Sequence, residues 1–169
     1  MVLSELSLTT QGSHNQYESK KLHLLFQSYF FLHIDEYKSA IKIFKELDQL
    51  IEKNEHIWNF PPYDYLSTLD GILDSLRNIG EYEEMEYYLK KAEGLSSKKY
   101  HEHFTTRACL MISHYRLVIM IEQGKLDEAI DFFGSNKKTF QQAEKVASKE
   151  RHLELIFLGG LAFFYKGEY

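Results

Sequence analysis

Gln123-Gly124-Lys125-Leu126-Asp127-Glu128-Ala129 lies between an apolar stretch that closes at Glu122 and an amphipathic one that opens at Leu126. The phrase returns as Ile34-Asp35-Glu36-Tyr37-Lys38-Ser39-Ala40, as Ile79-Gly80-Glu81-Tyr82-Glu83-Glu84-Met85 and as Lys166-Gly167-Glu168-Tyr169. Its anchor positions 37, 82, 126 and 169 are 45, 44 and 43 residues apart. Near-constant spacing over four occurrences marks an internal repeat, and a period in this range points to an all-α helical array.

Each part of the phrase has a physical use. Gly or Asp ends the first helix, where a left-handed or capping backbone is needed. The Tyr or Leu two positions later fills the corner between two helices. A small residue three further on, Ala40 or Ala129, allows the second helix to approach the first, and Met85 in the second repeat implies a wider crossing there.

Outward from the corners, the segment from Ser19 to His33 is apolar on nearly every side (Leu22, Leu24, Leu25, Phe26, Tyr29, Phe30, Phe31, Leu32), as expected of a helix packed all round. From Lys38 to Asn54, Ile41, Phe44, Leu47, Leu50 and Ile51 recur every three or four residues with charges opposite, which predicts a one-sided covering helix. A second pair is expected over 62–78 and 82–95, with Pro61-Pro62 just inside its start. A third covers 103–122 and 126–147, and Gly134-Ser135-Asn136 is expected to break its second helix. A further opening helix spans 149–166. The domain plan is an N-terminal extension over 1–18, expected to be partly disordered, followed by repeats at 19–58, 59–100, 101–148 and an incomplete one at 149–169.

The pattern of small residue, then Tyr or Leu, then Ala, with a large apolar residue four positions on, resembles the tetratricopeptide repeat over residues 19–169. The matching positions are Tyr37, Ala40 and Phe44; Tyr82, Leu89 and Ala92; Leu126, Ala129 and Phe133. Ser28 and Gly160 meet the small position of the first helix, whereas Leu73 and Leu117 depart from it, and the period exceeds the family's usual length by about ten residues. The resemblance implies a right-handed α-α superhelix (solenoid) of about three and a half antiparallel hairpins, acting as a non-catalytic protein- or peptide-binding scaffold. It also implies a concave wall made by the first helices, with Tyr29 and His33, then Asp70, Asp74, Arg77 and Asn78, then His114 and Glu122 on it. Family members that clamp an acidic chain end need cations or amides there. Asp70 and Asp74 would repel a carboxylate, so a neutral or basic partner segment is expected.

Composition narrows the classes. An apolar share of 44% with 12 Tyr and 12 Phe excludes a disordered chain, and only 2 Pro and 9 Gly favour long helices. Net charge is −5, which offers nucleic acid no basic stripe. The pairs Lys20-Lys21, Lys90-Lys91, Lys98-Lys99 and Lys137-Lys138 read as solvated helix faces. The longest apolar run, 157–165, is too short for a membrane span, which needs about 20 residues. A single cysteine, Cys109, cannot form an internal disulfide, and no leader pattern follows Met1; both suit the cytoplasm.

Groups that could carry chemistry read as structural. His101-Glu102-His103 puts two imidazoles two residues apart, on different sides of a helix, where a shared metal needs four. Asp70 and Asp74 form a one-turn carboxylate pair better suited to a groove than to acid–base work. Cys109, between Ala108 and Leu110, reads as a small core residue. Gly159-Gly160 lacks the Lys-Ser/Thr of a phosphate loop and reads as a close helix contact. The aromatic group Trp58, Phe60, Tyr63 and Tyr65 reads as a staple between the first two pairs. No metal, cofactor or catalytic set is expected.

The final helix, with Leu155, Ile156, Leu158, Leu161, Phe163 and Phe164, is expected to present an uncovered apolar side. The chain is therefore expected to be an N-terminal piece of a longer repeat protein or to form a homodimer through that helix. The alternative function is the sensor portion of a larger signalling protein.

Overall fold

The computed structural model describes residues 2–54, 62–96, 100–143 and 149–167. Among the described residues there are seven helices and no strand: α1 (Val2–His33), α2 (Tyr37–Lys53), α3 (Tyr63–Ile79), α4 (Tyr82–Ser96), α5 (Glu102–Glu122), α6 (Leu126–Ala143) and α7 (Lys149–Lys166). The chain is all-α, as the repeat implied.

All four turn phrases place one residue in the left-handed region: Asp35 at φ 61°, Gly80 at 75°, Gly124 at 72° and Gly167 at 80°. The hydrogen bonds around them repeat as well. Asp35 N–H donates to Leu32 O and Glu36 N–H to Phe31 O; Gly80 pairs likewise with Arg77 and Glu81 with Leu76, and Gly124 with Ile121 and Lys125 with Met120. This satisfies the last carbonyls of one helix and turns the chain back sharply. Ala40, Met85 and Ala129 N–H then donate to Glu36, Glu81 and Lys125 O, opening the next helix. At the fourth corner Gly167 N–H donates to Phe164 O, and residues 168–169 lie outside the described chain.

The chain falls into two compact units, Met1–Met85 and Glu86–Tyr169, with the boundary inside α4. In the first, α2 packs antiparallel on both α1 and α3. Lys20 to Glu46 and Tyr29 to Phe44 mark the α1–α2 register; Tyr65 to Glu52 and Gly71 to Phe44 mark that of α2 and α3. Helices α1 and α3 lie side by side and parallel, tied by Lys21 to Asp64 and by the Tyr29 hydroxyl, which donates to Ser67 O at 3.2 Å. The one-sided reading of α2 holds in the main: Ala40, Ile41, Phe44, Leu47 and Ile51 are buried and Lys42 and Glu46 exposed, but Asp48, expected on the charged side, is buried, and Leu50 is only half-buried. At the centre the Phe44 ring lies against Gly71, where any Cβ would overlap it.

The second unit repeats the scheme. Helix α6 packs antiparallel on α5 and α7, and α5 and α7 lie side by side. Leu110, Leu117, Val118 and Ile121 of α5, Ala129 and Phe140 of α6, and Leu155, Leu158 and Ala162 of α7 form one core. Gly159 lies against Phe133 as Gly71 lies against Phe44; a Cβ there would come within 2.6 Å of the Phe133 ring. Phe44 and Phe133 both stand seven residues after their corner anchors, so the same ring fills the same notch twice.

Several expectations are corrected. Helix α1 begins at Val2 rather than Ser19, since no proline precedes it. Its surface is not covered all round: Leu22, Phe26, Phe30 and Ile34 are exposed, because α2 and α3 occupy only the side of Lys21, Leu24, Ser28 and Tyr29. Helix α6 runs unbroken through Gly134-Ser135-Asn136; the Asn136 amide donates to Phe132 O, and Phe140 beyond it is buried. Pro62 stands one residue outside α3, at its N-cap. On α7, Leu155 and Leu158 are core residues instead of uncovered ones; Ile156 and Phe164 are exposed, and so are Leu153, Phe157 and Tyr165. Of the proposed aromatic staple, Trp58 and Phe60 lie outside the described residues, while Tyr65 is buried between α2 and α3.

Candidate binding surface

Two elements carry most of the candidate residues. Because α1 and α3 are parallel neighbours, Tyr29 and His33 lie on one and Asp70, Asp74, Arg77 and Asn78 on the other, within a single unit. Tyr29 is half-buried and does double duty: its ring meets Phe44 edge-on at 5.3 Å between centroids, and its hydroxyl bonds the α3 backbone. His33 and Asn78 are exposed, and Asp70, Asp74 and Arg77 are half-buried. Asp70 and Asp74, one turn apart, share the outward side of α3 with Ser67. The Asn78 amide donates to Asp74 O, which holds it along its own helix.

The neighbouring corner adds a carboxylate and a phenol that the sequence reading left as turn residues. Tyr37 donates to Asp35 Oδ1 at 2.6 Å. That hydrogen bond, slight burial and the negative charges of Asp35 and Asp74 hold the Tyr37 phenol above its usual pKa. Asp74 is near enough to the first corner for its charge to act on Tyr37. The spacing of the repeat could have signalled this, since every corner brings a helix end close to the next first helix.

His114 and Glu122 belong to the second unit. His114 is buried, with Nδ1 3.5 Å from Glu154 Oε2 and its ring edge-on to Tyr115 at 5.0 Å, so it serves the α5–α7 contact and not an open surface. Glu154 is also held by Arg151, whose guanidinium lies 5.9 Å from the Tyr115 ring centre. Glu122 is exposed in the last turn of α5.

The remaining candidates take structural places. His101 caps α5, accepting from Phe104 N–H through Nδ1 at 3.3 Å. Cys109 is half-buried rather than a core residue, and burial pushes its thiol pKa up, away from the reactive thiolate. Lys21 is not the solvated residue its pairing with Lys20 suggested; it is buried between Glu18 at 2.9 Å and Asp64 at 2.6 Å. Burial would lower its pKa, yet the bonds to Asp64 and Glu18 outweigh that and raise it. Among the described residues, no three His, Cys, Asp or Glu side chains are grouped to hold a metal, and no helix is long and apolar enough to cross a membrane. Compared with family models, curated proteins and solved structures, the chain finds no match in any of the three.

Proposed function

We propose that the protein is a non-catalytic binding scaffold of tetratricopeptide-like hairpins, which receives a neutral or basic polypeptide segment across α1 and α3. The observation that carries this reading is the presence of Tyr29 and His33 and of the half-buried carboxylates Asp70 and Asp74 on adjacent parallel helices of one unit. Two helices fixed side by side offer a rigid strip, so little ordering has to accompany binding. Carboxylates on that strip favour Lys or Arg and disfavour acidic segments. Tyr29 is rigidly held and supplies an amphipathic contact at small entropic cost.

A panel of fluorescein-labelled peptides of equal length, rich in Lys/Arg, in Ser/Gly or in Glu, tests this by anisotropy. The basic peptides are expected to bind best, with affinity falling as salt rises. Asp70→Lys with Asp74→Lys is expected to reverse the order while far-UV circular dichroism stays unchanged. An unchanged order in that variant, or its unfolding, would remove the acidic strip as the recognition element. The open side of α7 favours self-association in addition.

A further inference from the structure

Two stripes of large apolar side chains face solvent. On α1 and at the residue just past its end, Leu22, Phe26, Phe30 and Ile34 follow at every fourth position and are 46–73% exposed. On α7, Leu153, Phe157 and Phe164, flanked by Ile156 and Tyr165, are 47–68% exposed. Between Phe157 and Phe164 on α7 stands Gly160, with nothing within 4 Å of the place a Cβ would take. Scattered apolar residues are ordinary on a surface, but contiguous rows of this size mark an interface.

We infer that the chain associates with a second copy of itself, the α1 stripe of one copy packing antiparallel on the α7 stripe of the other. The lengths agree: 22–34 and 153–165 each span about 18 Å at 1.5 Å per residue. The shapes agree too. The four-residue ridge of α1 fits the groove floored by Gly160, with Phe26 seated between Phe157 and Phe164. Antiparallel alignment brings Asp35 and Glu36, just past the end of α1, to the first turn of α7, where Arg151 is already engaged by Glu154 and Asp35 by Tyr37, so charge at this end neither drives nor forbids the pairing. At the opposite end Lys20 and Lys166 are already engaged by Glu46 and Asp127, so they add little repulsion.

Each stripe offers on the order of 500 Å², and one pairing removes on the order of 1,000 Å² from water, at the lower bound for a specific interface. Association is therefore concentration-dependent. It does not depend on the acidic strip of α1 and α3.

Sedimentation velocity of the full chain, from low to several hundred micromolar, tests the pairing. Wild type is expected to assemble as concentration rises. Phe26→Asp with Phe30→Asp, and separately Phe157→Asp with Phe164→Asp, are each expected to stay monomeric with helical circular dichroism intact, since all four side chains are exposed. Mixed one to one, the two variants are expected to form a heterodimer, because the first retains its α7 stripe and the second its α1 stripe. Gly160→Gln fills the groove without disturbing the single chain and is expected to weaken assembly at least about tenfold. A wild type that stays monomeric throughout would overturn the inference. So would assembly of either double variant alone, which signals like-with-like pairing, or a mixture that fails to associate.

Discussion

Glycines that look alike in the sequence do opposite things in the structure. Gly71 lies against the Phe44 ring, so Gly71→Ala forces that ring out of its place between α2 and α3 and is expected to cost about 1–3 kcal/mol. Gly160 faces open space at an ordinary helical position, so Gly160→Ala is expected to add about 0.5–1 kcal/mol by restricting the unfolded chain. Thermal unfolding at low micromolar protein distinguishes them: the midpoint falls for the first and rises for the second. Equal falls would mean that the α7 notch is filled. The sequence assigns the small position of the first helix to Gly160, but the close contact is made by Gly159, and Gly71 makes the matching contact in the first unit with no sequence signal of its own. A one-residue turn of 100° decides which glycine meets a ring, and spacing alone does not fix helix rotation that finely.

Helix by helix, the recurrent corner controls the architecture. Gly124 sits at φ 72° with no heavy atom near its Cβ position, so Gly124→Ala pays only the left-handed backbone penalty, about 1–2 kcal/mol. Urea unfolding is expected to show that loss with little change in slope; an unchanged midpoint would mean the corner is not left-handed. Corners were legible because a left-handed residue, a bulky corner side chain and a small neighbour leave a chemical signature at fixed spacing. Helix faces were less so. Leu22, Phe26 and Phe30 are as apolar as Leu24, yet only Leu24 is buried. Apolarity records that a face is unfavourable in water, and not whether this chain or another covers it. Lys21 failed for the converse reason: its partner Asp64 is 43 residues away, across the α1–α3 contact.

For the molecule as a whole, the titration of buried groups sets one expectation. Burial foremost raises the phenol pKa values of Tyr17 and Tyr65; around Tyr65 Asp48 and Glu52 add to it, and Tyr65 donates to Glu52 at 2.9 Å. Lys21 is raised by its carboxylate partners. All three lie in the first unit. Above about pH 10 the unfolded chain loses protons that the folded chain keeps, so stability is full below that pH and falls as pH rises further. Tyr65→Phe is expected to lower stability near neutral pH by about 1–3 kcal/mol, through the acceptors left behind, and to flatten the alkaline loss. Chemical denaturation at stepped pH checks both; an unaltered alkaline slope would place the Tyr65 hydroxyl in water.

The functional account depends on α1 and α3 forming one recognition strip. The most direct test is a titration of the ¹⁵N-labelled chain with a Lys/Arg-rich peptide, followed by amide chemical shifts. The expected result is saturable movement concentrated at Tyr29, His33, Asp70, Asp74 and Arg77, absent with a Glu-rich peptide of equal length. Equal responses to both peptides, or movement confined to other helices, would contradict the account.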